Sequence, residues 1–374
     1  MIYLDNSATT QTRREVAEFV AKYSVENFFN PSSIYHPAIC VKNDLNKARE
    51  TLLNLLGASP DDRIIFTGSA TEANNLVLNG LARKNKKILV SIGEHPSVYE
   101  VAKNLSNMGY SVDYVNLTPD GKMDLNDLKS KLSPEVGLVS CIHVSNETGA
   151  INDIAAIAKL VKGISPDCRV HCDGVQAFGK IKNNLANTDV DAYTMSSHKI
   201  HGPKGVAALY IKQGVNIKPH ILGGGQENGL RSGTENPAGI LGFVMAAEAM
   251  YSDFITKRQH IDLLWQYFVD GLEKSGLDFR VNSPSDCLKN VLSVSFSKVR
   301  GEVLLHCLEK HQIYVSTGSA CSSKSVGNRV LQAMKQSNET MLGNIRFSFS
   351  EYNTLAEIDT VLAALKEEIP LIKH

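Results

Sequence analysis

Gly137-Leu138-Val139-Ser140-Cys141-Ile142-His143-Val144 is an almost unbroken apolar run of eight residues. A strand with one wet face alternates apolar and polar side chains. A continuous run instead fits a strand covered on both faces, the situation inside a parallel sheet. Working outward, β-type runs recur at 63–66, 87–91, 111–115, 169–172, 192–195 and 206–211, with helical stretches at 71–81, 98–108 and 154–161 between them. This alternation predicts an α/β fold: a large domain with a mostly parallel sheet flanked by helices.

After Gly223-Gly224-Gly225 the texture changes. One long helical stretch is expected from 238 to 272. It is followed by a smaller α+β C-terminal domain with strands at 291–296, 314–316 and 345–350 and helices at 302–311, 330–335 and 356–369. The expected division is 15–255 for the large domain, and 1–14 with 256–374 for the small one.

Of the 374 residues, 43% are apolar and 21% charged, ordinary values for a globular protein. Thirty-nine basic residues balance 39 acidic ones, which gives no electrostatic case for direct nucleic-acid binding. The opening Met1-Ile2-Tyr3-Leu4-Asp5-Asn6 lacks the pattern of a signal peptide, and no run reaches the ~18 apolar residues of a membrane span. Seven scattered cysteines then read as reduced thiols, so a cytoplasmic protein away from the membrane is expected. Cys168, His171 and Cys172 lack the further ligands a metal site needs, and no metal is expected there.

Ligands of such sheets bind at the carboxyl ends of the strands. Thr71, His95, Asn146, Asp173, Ser196, His198 and Lys199 all follow predicted strands. A lysine, an aspartate, a histidine and a helix start ready for phosphate are the requirements of pyridoxal 5'-phosphate (PLP). Lys199 would attach through its amine to the PLP aldehyde. Asp173 would pair with the pyridine nitrogen. The N–H groups of Ala70 and Thr71 would hold the phosphate. His95 would stack on the ring, and Gln176 and Asn146 would address its hydroxyl. Taken singly, each residue is as well read as a cap, turn or loop residue. The reading rests on their joint order along one sheet.

That order resembles the NifS/IscS class of cysteine desulfurases, within the PLP-dependent class V aminotransferase family of fold type I. The resemblance runs over nearly the whole chain. It is carried by Tyr3-Leu4-Asp5-Asn6-Ser7-Ala8-Thr9-Thr10, Asn30-Pro31-Ser32-Ser33 with His36, Ala70-Thr71-Glu72, Glu94-His95, Asn146-Glu147-Thr148-Gly149 and Asp173 with Gln176. It continues in His198-Lys199 with Gly202-Pro203-Lys204-Gly205, Arg231-Ser232-Gly233-Thr234, Gly318-Ser319-Ala320-Cys321 and Ile345-Arg346-Phe347-Ser348. The resemblance implies PLP on Lys199 and Asp173 at the ring nitrogen. It implies phosphate contacts from Thr71, Ser196 and His198, and from Thr234 of a second subunit, hence a homodimer. Arg346 would bind the substrate carboxylate, with Asn146 beside it. The chain departs from the family pattern at Gly68-Ser69, Ser197, Thr148 and Gly174, none of which removes a catalytic group.

PLP chemistry alone does not fix a reaction. Cys321 points to sulfur. It lies in Ser316-Thr317-Gly318-Ser319-Ala320-Cys321-Ser322-Ser323-Lys324-Ser325, a small, polar segment unlike a core. The implied activity converts L-cysteine to L-alanine and leaves a persulfide on Cys321 for a sulfur-acceptor protein. His95 is a candidate base for the thiol. Another PLP enzyme, an aminotransferase or a selenocysteine lyase, and a non-catalytic scaffold are the competing readings. The sequence leaves open whether the sulfur serves iron–sulfur cluster assembly, tRNA thiolation or a cofactor pathway.

Overall fold

A computed structural model describes residues 1–318 and 328–373. Its centre is a seven-stranded sheet in the order Arg63–Thr67, Ala207–Ile211, Ala192–Ser196, Arg169–Asp173, Val136–Ile142, Lys87–Ser91, Val112–Val115. All pairings are parallel except the two made by Ala207–Ile211. The deciding run forms Val136–Ile142, and all seven of its residues are buried. Helices cover both faces. Arg14–Glu26, His36–Leu55, Ile154–Ile164 and Pro237–Tyr251 contribute to one core with Leu52, Val139, Ile157 and Phe243. Ala70–Leu81 and Pro96–Asn107 close the other face through Leu76, Val77, Val98 and Leu105.

A second core gathers Leu264, Phe268, Leu292, Phe347 and Leu365 around the antiparallel sheet Asn344–Ser348, Val291–Phe296, Phe279–Val281. Ile2–Tyr3 pairs in parallel with Ile313–Tyr314, and Leu4 is fully buried in this second core. The chain therefore starts in the small unit before building the large one.

The helical stretch expected as continuous over 238–272 is two helices, Pro237–Tyr251 and Phe254–Glu273, set at 74°. Asp253 breaks it with a left-handed backbone (φ +49°). The break has a packing cause: the first helix feeds the large core and the second feeds the small one. Among the described residues, no single helix is long and apolar enough to cross a membrane.

The departure at Gly174 also has a cause. A Cβ at this position would fall inside the ring of Tyr193, which is fully buried on the neighbouring strand. The ring is held there by the 2.8 Å hydrogen bond between Tyr193 Oη and His143 Nδ1. Gly174→Ala should therefore cost roughly 1–3 kcal/mol, as overpacking does. Tyr193→Leu should remove most of that cost, so the two changes will be strongly non-additive in a denaturation cycle. Simple additivity would contradict the packing account.

Candidate active site

The carboxyl ends of the parallel strands form one rim. Ser69 caps helix Ala70–Leu81, its Oγ accepting from the Glu72 N–H at 3.1 Å. The cap takes up that N–H and leaves those of Ala70 and Thr71, in the same first turn, pointing out of the helix start, where an anion is stabilised. Asp173 ends the central strand Arg169–Asp173, is 3% exposed, and accepts from the Val175 N–H at 3.0 Å and from Asn74 Nδ2 at 2.9 Å. His95 is the N-cap of Pro96–Asn107, with Nδ1 3.1 Å from the Ser97 N–H and 2.8 Å from Ser97 Oγ.

Lys199 closes a short 3₁₀ turn after strand Ala192–Ser196. Its Nζ donates to the carbonyls of Ser7 at 2.5 Å and Ala8 at 2.7 Å. Burial, and secondarily the nearby Arg346 guanidinium, lowers its pKa to about 8. His198, half-buried and next to Lys199, is pushed down to about 4, and its Nδ1 lies 3.1 Å from Thr9 Oγ1. Gln176 Nε2 donates to the same Ser7 carbonyl at 2.9 Å, and its Oε1 accepts from Lys180 Nζ at 3.1 Å. Ser196 is buried beside them at the strand end.

Arg346 reaches this chamber from the small sheet. Its Nη2 donates to Asp5 Oδ1 at 2.9 Å, and its Nη1 donates to the Asn146 carbonyl at 3.1 Å and lies 3.6 Å from Glu147 Oε1. Asn146 turns its side chain to the same carboxylate, Nδ2 to Glu147 Oε1 at 2.7 Å. Glu147 Oε2 accepts from Asn328 Nδ2 at 2.8 Å. Gly318 (φ +82°) packs so closely on this pair that a Cβ would strike both Glu147 and Asn328. The residues that bracket 319–327 are thus joined at Glu147. Cys321 lies outside the described residues.

The structure brings Lys199, Asp173, His95, Arg346 and Asn146 into one neighbourhood. Lys199 feels the charges of Arg346, Asp5, Asp173 and Glu147, and His95 those of Asp173 and Lys199. It does not bring Thr234 there. Thr234 is exposed and lines a separate cavity of about 90 Å³ with Thr67, Gly68 and Arg231. Sequence reasoning assigned no role to Asp5, Asn74, Ser97, Glu147 or Lys180. Asp5 and Glu147 sit within motifs that carry the family resemblance, but nothing in the sequence pairs them with Arg346. Asn74 and Ser97 gave none.

An open helix start, a buried carboxylate and a half-buried lysine of lowered pKa on one rim of the sheet fit the phosphate, ring nitrogen and aldehyde of PLP. The fold and site are those of a PLP-dependent enzyme.

A model of the family "Aminotransferase class-V" matches residues 2–361, and the chain belongs to that family. It is 38% identical to a protein of Dictyoglomus turgidum named cysteine desulfurase IscS, over 100% of this chain and 95% of that one. A Clostridium botulinum protein of the same name is 37% identical over 98% of this chain and 94% of its own length. Among solved structures, a NifS-like protein superposes with a TM-score of 0.92 at 36% identity, covering 99% of both chains. A structure described as SspA in complex with cysteine gives 0.83 at 28% identity, over 95% of this chain and 100% of that one.

If burial sets the Lys199 amine, cofactor-free protein should react with an aldehyde reagent at Lys199 half-maximally near pH 8. Peptide mass spectrometry separates this lysine from Lys180. A midpoint near the ordinary lysine value, about 10.4, would contradict the buried setting.

Proposed function

We propose that the protein is a PLP-dependent cysteine desulfurase, with L-cysteine as substrate and Cys321 as the first sulfur acceptor. One observation carries the sulfur chemistry to this site. Gly318 and Asn328, which flank the segment containing Cys321, meet at Glu147, and Glu147 is 3.6 Å from Arg346. The sulfur-accepting segment and the carboxylate-binding arginine share one anchor. The full-length likeness to chains named cysteine desulfurase supports the same reading.

Arg346 binds the substrate carboxylate in a bidentate fork, with Asn146 beside it. Lys199 holds the cofactor and, once released by substrate, takes the Cα proton on Nζ; its lowered pKa leaves a usable fraction neutral. Bound PLP supplies the electron sink that makes loss of that proton feasible. Asp173 holds the ring nitrogen in its protonated form. Ala70, Thr71, Ser196 and His198 hold the phosphate, Gln176 addresses the ring hydroxyl, and His95 stacks on the ring. The balance is simple: L-cysteine and the Cys321 thiol give L-alanine and a Cys321 persulfide. The Cβ–S bond breaks, an S–S bond forms, and no outside oxidant is needed.

The same reading makes the protein a cytoplasmic homodimer. The exposure of Thr234, set apart from its own chain's Lys199 chamber, supports the reading that it serves the phosphate of a second subunit. It makes 15–255 the PLP-binding domain, and 1–14 with 256–374 the domain that presents Cys321. The persulfide sulfur passes to an acceptor protein for iron–sulfur cluster assembly or tRNA thiolation.

Cys321→Ser should bind PLP as the wild type does and still respond spectrally to L-cysteine, yet form no alanine, because a hydroxyl cannot store the sulfur. Amino-acid analysis after incubation with L-cysteine checks this. Normal alanine formation by the variant would remove the desulfurase reading and leave another PLP enzyme.

A further inference from the structure

Asn74 is fully buried in the helix that starts at Ala70, and it ties together two residues already placed at the site. Its Nδ2 donates to Asp173 Oδ2 at 2.9 Å and to Ser97 Oγ at 2.8 Å. Its Oδ1 is buried with no partner. Turning the amide over would set oxygen against the Asp173 carboxylate, which only accepts, so both N–H bonds are kept and the oxygen is left unpaired. The direction of the remaining bonds follows. Ser97 Oγ accepts from Asn74 and donates its own proton to His95 Nδ1 at 2.8 Å. The Ser97 backbone N–H points at the same nitrogen at 3.1 Å.

We infer that Asn74 and Ser97 are positioning residues that fix His95 as the tautomer with its proton on Nε2, so that His95 meets the cofactor and substrate as a hydrogen-bond donor. Two donors converge on Nδ1 and leave no place for a proton there. The surroundings agree. His95 is exposed at the rim, yet the water it does lose is the largest influence and disfavours the imidazolium, as do Lys199 and Arg329, while Asp173 and Glu147 pull the other way. As a consequence, His95 cannot take the Cys321 proton through Nε2 without first losing its own. Its role as base for that thiol, expected from the sequence, does not fit this arrangement.

The inference rests on the proposed site but not on its reaction, and its test never measures alanine. The full chain with PLP bound is labelled with ¹⁵N-histidine, and His95 is identified by its missing signals in His95→Gln. In the wild type near neutral pH, Nδ1 should resonate as an unprotonated acceptor and Nε2 as protonated. Ser97→Ala removes only a hydroxyl. It should raise the His95 protonation midpoint by roughly half to one pH unit, the worth of one neutral hydrogen bond. Asn74→Leu should move it the same way; if that variant does not fold, Ser97→Ala decides alone. A proton on Nδ1 in the wild type, or an unchanged midpoint in Ser97→Ala, overturns the inference.

Discussion

The arrangement depends on how the chain satisfies a largely desolvated lysine and a buried arginine at the junction of two cores. A buried cation is costly unless its donors are met. Residues 5–10 meet them. Ser7 and Ala8 give their carbonyls to Lys199, Asp5 gives its carboxylate to Arg346, and Thr10 fixes the turn through the His198 carbonyl at 2.9 Å. The same segment is pinned to the small unit, with the Ser7 N–H on Ser348 Oγ at 2.8 Å and Asn6 Nδ2 on the Ser348 carbonyl at 2.9 Å. It therefore sets the depth at which Lys199 sits, and depth sets its pKa. The first residues of the chain are site architecture as much as fold.

Glu147 performs a parallel task on the other side. It is 3% exposed, between Arg346 and Asn328, so one carboxylate neutralises the arginine while it holds the chain that leads out of the Cys321 segment. A substrate carboxylate arriving at Arg346 meets a guanidinium already shared by Asp5 and Glu147. Binding must rearrange that sharing, and through Glu147 it bears on the residues bracketing 319–327.

Much of this was legible in the sequence. The two-sided strand around Val139, the alternation of elements and the strand-end positions of Asp173 and Lys199 follow from local pattern, because periodicity reports burial directly. What pattern does not report is which distant residue fills a given volume or meets a given charge. The break at Asp253 arises because two helices feed different cores, and composition does not change there. The strand Phe279–Val281 has only three residues, none of them fully buried, and gives no periodic signal. Gly174 is explained only by Tyr193, and the link between Asn74 and Ser97 spans two helices. Such pairings come from tertiary structure, beyond the reach of any window of sequence.

The most direct test concerns which amine carries the cofactor, since Lys180 lies buried nearby with its own pKa lowered to about 7 by burial and by Lys199. Protein loaded with PLP is reduced with borohydride, digested and mapped by mass spectrometry. The account predicts the pyridoxyl phosphate mass on Lys199 alone; finding it on Lys180, or on no lysine of the rim, would contradict it.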